Sequence, residues 1–118
     1  MDYVNSVRLV GRVTARGEPR ELPSGDVVVT LRVVVPRSGR RRSPGEAGAR
    51  GDPRRATVDT IDVACWSAAC RRAAARCGVD DHVEVEGSLR RRFFRAGASV
   101  ASRYEVEASR LRRCPPPG

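Results

Sequence analysis

The sequence predicts an all-β domain, a five-stranded barrel with one short helix between its third and fourth strands. Several short runs alternate apolar with other residues, the period of a strand with one buried face. A single Ala-rich stretch, residues 67–77, has helical composition. Two of the runs are interrupted by glycine, at Gly11 and Gly87, where a sheet that closes on itself must bend.

The first strand falls within residues 3–14 (YVNSVRLVGRVT), with Val7, Leu9 and Val13 towards one side. Pro23-Ser24-Gly25-Asp26 is a hairpin signal. In the second strand, 27–35, Val27, Val29, Leu31, Val33 and Val35 share one face; Val28, Thr30, Arg32 and Val34 share the other. Residues 36–57, rich in Pro, Gly, Ser and Arg, cannot build a core and read as a long basic loop. Such a loop inside a compact domain is uncommon without a function. In the third strand (VDTIDVACW, 58–66), Ile61, Val63 and Cys65 point one way and Thr60, Asp62, Ala64 and Trp66 the other. Alternation thus puts Trp66 on the polar face, where a core residue would not sit.

In the helix, Ser67 suits the N-cap and Gly78 the C′ position. Ala69, Cys70, Ala73 and Cys77 form its apolar stripe, and Arg71, Arg72 and Arg76 a solvated face. The fourth strand directs Val83, Val85 and Leu89 inward and Glu84 and Glu86 outward. Residues 88–104 read as a second Arg-crowded loop. The last strand, from about Arg103 to Leu111, opposes Arg103, Glu105, Glu107 and Ser109 to Tyr104, Val106 and Ala108. The domain is expected to span 1–112, followed by a short Pro-rich tail, 113–118.

Charge is regional. All 23 basic residues are Arg, and the net charge is +9. A GC-rich genome explains the choice of Arg over Lys, but the charge itself predicts attraction to polyanions. Residues 36–57 hold seven arginines against Glu46 and Asp52; residues 88–104 hold five and no acid. Each segment therefore carries +5, and the remainder of the chain about −1. The aromatic residues are few: Tyr3, Trp66, Phe93, Phe94 and Tyr104. A β-rich scaffold with basic, aromatic-bearing loops is a common way to hold single-stranded nucleic acid.

Other chemistries find little support. Cys65, Cys70, Cys77, Cys114 and His82 suggest zinc, but Cys70 and Cys77 in one helix stand roughly 10 Å apart along its axis. Buried, reduced thiols are expected, with no metal and no cofactor. A lone His, no carboxylate pair in an apolar setting, no phosphate loop and no nucleophile motif leave nothing for an enzyme to use. The N-terminus lacks an apolar signal region, and the run Val27–Val35 is too short to span a bilayer. A cytoplasmic, nucleoid-associated protein with no membrane partner is expected.

Three strands, a helix and two strands is the layout of an OB-fold. The chain resembles the bacterial single-stranded DNA-binding proteins. The matching pieces are Asn5 with Val7-Arg8-Leu9-Val10-Gly11-Arg12, Pro19-Arg20 with Ser24-Gly25, Trp66-Ser67, and Val83 through Arg92. By resemblance, Trp66 and Phe94 fall on base-stacking aromatics, whereas Thr60 and Gly39 stand where two others are lost. Arg90 and Arg92 keep basic positions, and Asp62 replaces one. Arg12, Arg32, Arg37, Arg41, Arg42 and Thr60 complete the expected nucleic-acid-binding set. The resemblance implies sequence-independent binding and protection of single-stranded DNA in replication, recombination or repair. It also implies a homo-oligomer paired through Tyr3–Val13, a tetramer ahead of a dimer. Family members commonly end in an acidic tip that recruits replication enzymes; here no acid follows Glu107, so no tail-mediated recruitment is expected. Two alternatives stay open. One is an RNA-binding OB module, since arginines and aromatics do not read the 2′-OH. The other is a primosome-like OB protein that binds partners through the mixed charges of Glu84, Glu86, Arg103, Glu105 and Glu107.

Overall fold

A computed structural model describes residues 1–37 and 57–117. Its strands are β1 (Val7–Arg16), β2 (Arg20–Glu21), β3 (Val27–Pro36), β4 (Val58–Cys65), β5 (His82–Ala96) and β6 (Ser99–Cys114). Among the described residues there is one helix, α1 (Ala68–Ala75), which joins β4 to β5. The sheet order is β1-β5-β6-β4-β3, and β3 pairs back onto β1, which closes a five-stranded barrel. The two-residue β2 only flanks β3. The β4–β6 contact is parallel, at Val63 and Val106, and the other pairings are antiparallel. This is the OB-fold that the order of elements predicts.

Alternation delivers the core. Val13, Leu31, Val33, Val63, Val83 and Val85 are almost completely buried, while Val7, Leu9 and Ile61 pack against them from the edge. Of the two expected bends, the one at Gly87 is present, whereas Gly11 stays in regular register opposite Val83 and the irregularity of β1 falls at Thr14 instead. The ladder slips between Glu86 and Gly87, a β-bulge that raises local twist, and a second slip falls between Val13 and Ala15. Gly25, at φ +93°, completes the expected turn between β2 and β3, where Leu22 N–H donates to the Asp26 carbonyl at 2.8 Å.

α1 covers one end of the core with Cys70 and Ala74, and Cys77, just past its C-cap, joins them. Ala69, expected in that stripe, is exposed. Ser67 accepts from the Cys70 N–H as the expected N-cap. Arg71 belongs to no solvated face: it donates to the Trp66 carbonyl and, at 3.3 Å, to the Val27 carbonyl, tying the helix to the sheet. At the other end, Gly78 does not serve as a left-handed C′ residue. Arg16 of β1 instead donates to the Ala75 and Cys77 carbonyls, both at 3.0 Å, and so satisfies the helix C-terminus from outside. The left-handed residue is Asp80, at φ 81°. The four cysteines are free, and burial, with the nearby Cys70 and Cys77, pushes the Cys65 thiol up to about 12. Such a thiol stays protonated and inert. Among the described residues, no group of three or more His, Cys, Asp or Glu side chains is placed to hold a metal ion.

Three boundaries differ from the sequence expectation. β1 starts at Val7 rather than Tyr3, because Asn5 leaves the ladder and brackets β5 with its side chain. Its amide donates to the Leu89 carbonyl at 2.9 Å and accepts from the Leu89 N–H at 2.8 Å. Residues 88–104 are not a loop: β5 and β6 pair in unbroken register up to Ala96 and Ser99, leaving Gly97 and Ala98 as the turn. Arg113 and Cys114, assigned above to the tail, are the last residues of β6. The long basic loop lies outside the described residues apart from its ends, where Arg37 N–H donates to the Thr57 carbonyl at 2.9 Å.

Candidate nucleic-acid interface

Strand register assembles one outer face from distant parts of the chain. Arg12, Val34 and Thr60 lie in one row across β1, β3 and β4; Arg32 and Asp62 form the next, then Thr30 and Ala64. Trp66 continues the series just past the end of β4. The β5–β6 hairpin adds Arg92 opposite Arg103 and Arg90 opposite Glu105. Between these elements runs a groove of about 350 Å³ bordered by Trp66, Phe94, Arg20, Arg92 and Arg103. Val28 and Ala64, both almost fully buried, also line it. The outer face is therefore polar only in part, and Trp66 is half-buried rather than free on a wet surface.

The Trp66 ring is dressed by an arginine. The Arg92 guanidinium sits 4.7 Å from the ring centroid, within cation–π range, and Nε of Arg92 is held at 2.7 Å by Glu105. Glu105 is only 3% exposed, so this carboxylate is fixed rather than mobile. The indole Nε1–H is buried and without a partner, the one such side-chain atom among the described residues. A buried donor left unpaired costs roughly 1–3 kcal/mol, so packing alone is a poor reason for a Trp here. Phe94, 44% exposed, has the Arg103 guanidinium 5.7 Å from its ring centre. Both aromatics expected to stack on bases thus pair with arginines.

All five expected arginines among the described residues are pre-paired with carboxylates. Arg12 meets Asp80 at 2.9 Å, Arg32 meets Asp62 at 3.4 Å and Arg37 meets Asp59 at 3.0 Å. Arg90 meets Glu107 at 3.1 Å, and Arg92 meets Glu105. Most of these pairs are exposed and weak, which leaves them open to exchange. Trp66, Phe94 and Arg92 share the groove. Arg32 lines an adjoining recess that shares Thr30 and Arg103 with it, and Thr60 and Arg12 sit one row further out. Arg41 and Arg42 lie outside the described residues. The sequence reading did not place Arg20 and Arg103 in the interface. Arg103 has no ion-pair partner among the described residues, and only the hairpin register opposite Arg92 could have revealed it.

A closed barrel that presents flat rings beside arginines in an open groove suits a flexible polyanion whose bases are accessible. The model of the single-strand binding protein family matches residues 4–114, and the chain belongs to that family. Membership makes it a binding protein rather than an enzyme. It is similar in fold to the Plasmodium falciparum SSB solved in complex with ssDNA, with a TM-score of 0.74. Identity there is 18%, over 98% of both chains, a likeness that concerns the barrel and not the site. Comparison with the curated proteins gives no match.

Proposed function

We propose that the protein coats and protects single-stranded DNA, independent of base sequence, during replication, recombination or repair in the cytoplasm. The observation that carries this reading is the Trp66 ring, half-buried beside Phe94 in an arginine-bordered groove with its N–H unsatisfied. Bases stack on the rings, and arginines exchange their carboxylates for phosphates. The test is titration of matched single-stranded DNA, single-stranded RNA and duplex DNA across a salt series. Single-stranded DNA is expected to bind best, with a log–log slope of roughly −0.7 per neutralised phosphate. Because five arginines begin as ion pairs, fewer phosphates are neutralised than the arginine count suggests. A preference for duplex, or an affinity indifferent to salt, refutes the reading; a preference for RNA moves it to the RNA-binding alternative.

Glu105 competes directly with a phosphate for Arg92. Glu105→Gln keeps the shape and removes the charge of a buried carboxylate, so Arg92 is freed for phosphate and single-stranded DNA binding should tighten several-fold. Fluorescence titration of the two proteins under one salt condition checks this. Equal or weaker binding by the folded variant means that the pair supports the interface instead of opposing it.

We further propose a homo-oligomer, a tetramer ahead of a dimer, paired through β1. Of the acidic outer residues, Glu84, Glu105 and Glu107 are locally neutralised, and only Glu86 has no ion-pair partner among the described residues. Glu84, 8% exposed, is held by Arg8 at 2.6 Å and by Arg112. Those hydrogen bonds, Arg8 first, hold its carboxyl below the usual range despite its desolvation. Two like faces can then meet with one unpaired carboxylate each, and a two-fold contact brings each patch to its own copy. Light scattering over a salt series should give a multiple of the chain mass, and a stable monomer rules the assembly out.

A further inference from the structure

One side of α1 is not used by the core. Ala68, Arg71, Arg72 and Ala75 follow the i, i+3, i+4, i+7 spacing of a single helix face, whereas Cys70 and Ala74 pack into the core. That face borders a cavity of about 400 Å³ between the helix and the link from β1 to β2. Pro19 of the link and Val29 of β3 add apolar surface to it. The cavity shares no lining residue with the aromatic groove, and no aromatic ring lines it.

Arg16, Arg71 and Arg72 border the cavity, and none has an ion-pair partner among the described residues. Backbone carbonyls hold two of them, in each case through Nη1. Arg16 donates to Ala75 and Cys77, and Arg71 to Trp66 and Val27. A carbonyl fixes a guanidinium without neutralising it, and each arginine has five N–H donors, so both stay charged with donors to spare. Glu18 is the only acid in the lining. In the aromatic groove, by contrast, Arg92 is matched by a carboxylate.

Positive charge over an apolar lining suits an anion that is itself partly apolar. Nucleic acid fits poorly, because its bases have no ring to stack on here. A bare phosphate would leave the apolar surface unused. Carboxylates set among aliphatic side chains answer both parts, and clustered arginines are a recurring means of holding acidic motifs. We propose that the cavity between α1 and the β1–β2 link is a docking site for an acidic, aliphatic peptide of a partner protein. An aliphatic side chain enters against Val29, Pro19 and Ala68, and carboxylates meet Arg16, Arg71 and Arg72. Because the aromatic groove contributes nothing to this cavity, the partner can bind while the groove is filled.

The probe is a fluorescently labelled peptide that alternates Leu with Asp, followed by anisotropy on the whole chain with and without saturating oligothymidylate. It should bind under both conditions. Ser in place of Leu should weaken it about tenfold or more, the scale of one buried Leu side chain. Arg16 and Gly17 also border the recess beside Arg32, so the variants are placed at Arg72 and Ala75, which do not. Both residues are exposed, and the barrel should fold. Arg72→Ala should weaken the peptide about three- to fivefold, the upper scale of one exposed ion pair. Ala75→Glu brings a competing carboxylate to the arginines at little cost to the helix, and should remove most of the binding. Wild-type affinity in both variants, or equal binding of the Ser peptide, overturns the proposal. Displacement by oligothymidylate does so too, since it puts the peptide in the aromatic groove. A smaller mass for Arg72→Ala than for wild type in light scattering also overturns it, by making the cavity a contact between copies.

Discussion

Replacing Trp66 with Ala should weaken single-stranded DNA binding by about 1–3 kcal/mol, the usual worth of a base–aromatic stack. The loss has a second component, because Arg92 then has no ring to rest on and is held only by Glu105. Trp66→Phe separates the two roles. It keeps a flat ring in the groove and removes the buried, unpaired Nε1–H, so affinity should be intermediate and thermal stability equal or higher. Titration by anisotropy of a labelled oligonucleotide, together with a melting curve for each variant, reads both effects. An alanine variant that folds and binds like the wild type would make Trp66 a packing residue.

The largest effect on folding should come from Gly87→Ala. A Cβ at this position would lie 2.0 Å from the Glu107 carbonyl oxygen and 3.0 Å from the Ala108 Cα, both backbone atoms that cannot swing aside. The bulge must then open or β6 must move, at an overpacking cost of about 1–3 kcal/mol or more. In a domain of this size each kcal/mol shifts Tm by roughly 4–8 °C, so melting about 10 °C lower is expected. Gly78→Ala is the control. Its nearest neighbour would be 3.9 Å away and its φ is not left-handed, so Tm should move by no more than a degree or two. Equal melting of Gly87→Ala and wild type would mean that the barrel closes without the bend at β5.

How far the sequence could be read follows from what each signal depends on. Val29, Leu31, Val33, Ile61, Val63 and Cys65 reveal β3 and β4 because one buried face leaves a period of two. Gly87 is readable as a bend, while Gly11 marks a close approach rather than the bend expected of it: a Cβ there would meet the Val34 carbonyl oxygen at 2.4 Å. Residues 88–104 were missed as strands for the opposite reason. Both sides of the hairpin are exposed, so neither carries the apolar alternation that marks a strand. The end of α1 was misplaced because its carbonyls are satisfied by Arg16, a residue on another strand. In the interface, Trp66 and Phe94 could be chosen from residue type, position and resemblance. The carboxylate partners could not, since Asp62 beside Arg32 and Glu105 beside Arg92 are neighbours only through register between strands far apart in the chain.

Those pairings bear on how quickly a strand can be given up. An arginine that meets only solvent must wait bare when its phosphate departs, which makes departure slow and recapture fast. If Arg92 and Arg32 hold phosphates as proposed, a phosphate leaving either is replaced by a carboxylate already within reach on the same barrel, Glu105 for Arg92 and Asp62 for Arg32. On that reading a coated strand can be peeled off in steps, those at Arg92 and Arg32 closing an internal pair as they open an external one. Some grip is given up for turnover, which suits a coat that has to yield whenever another protein needs the same strand.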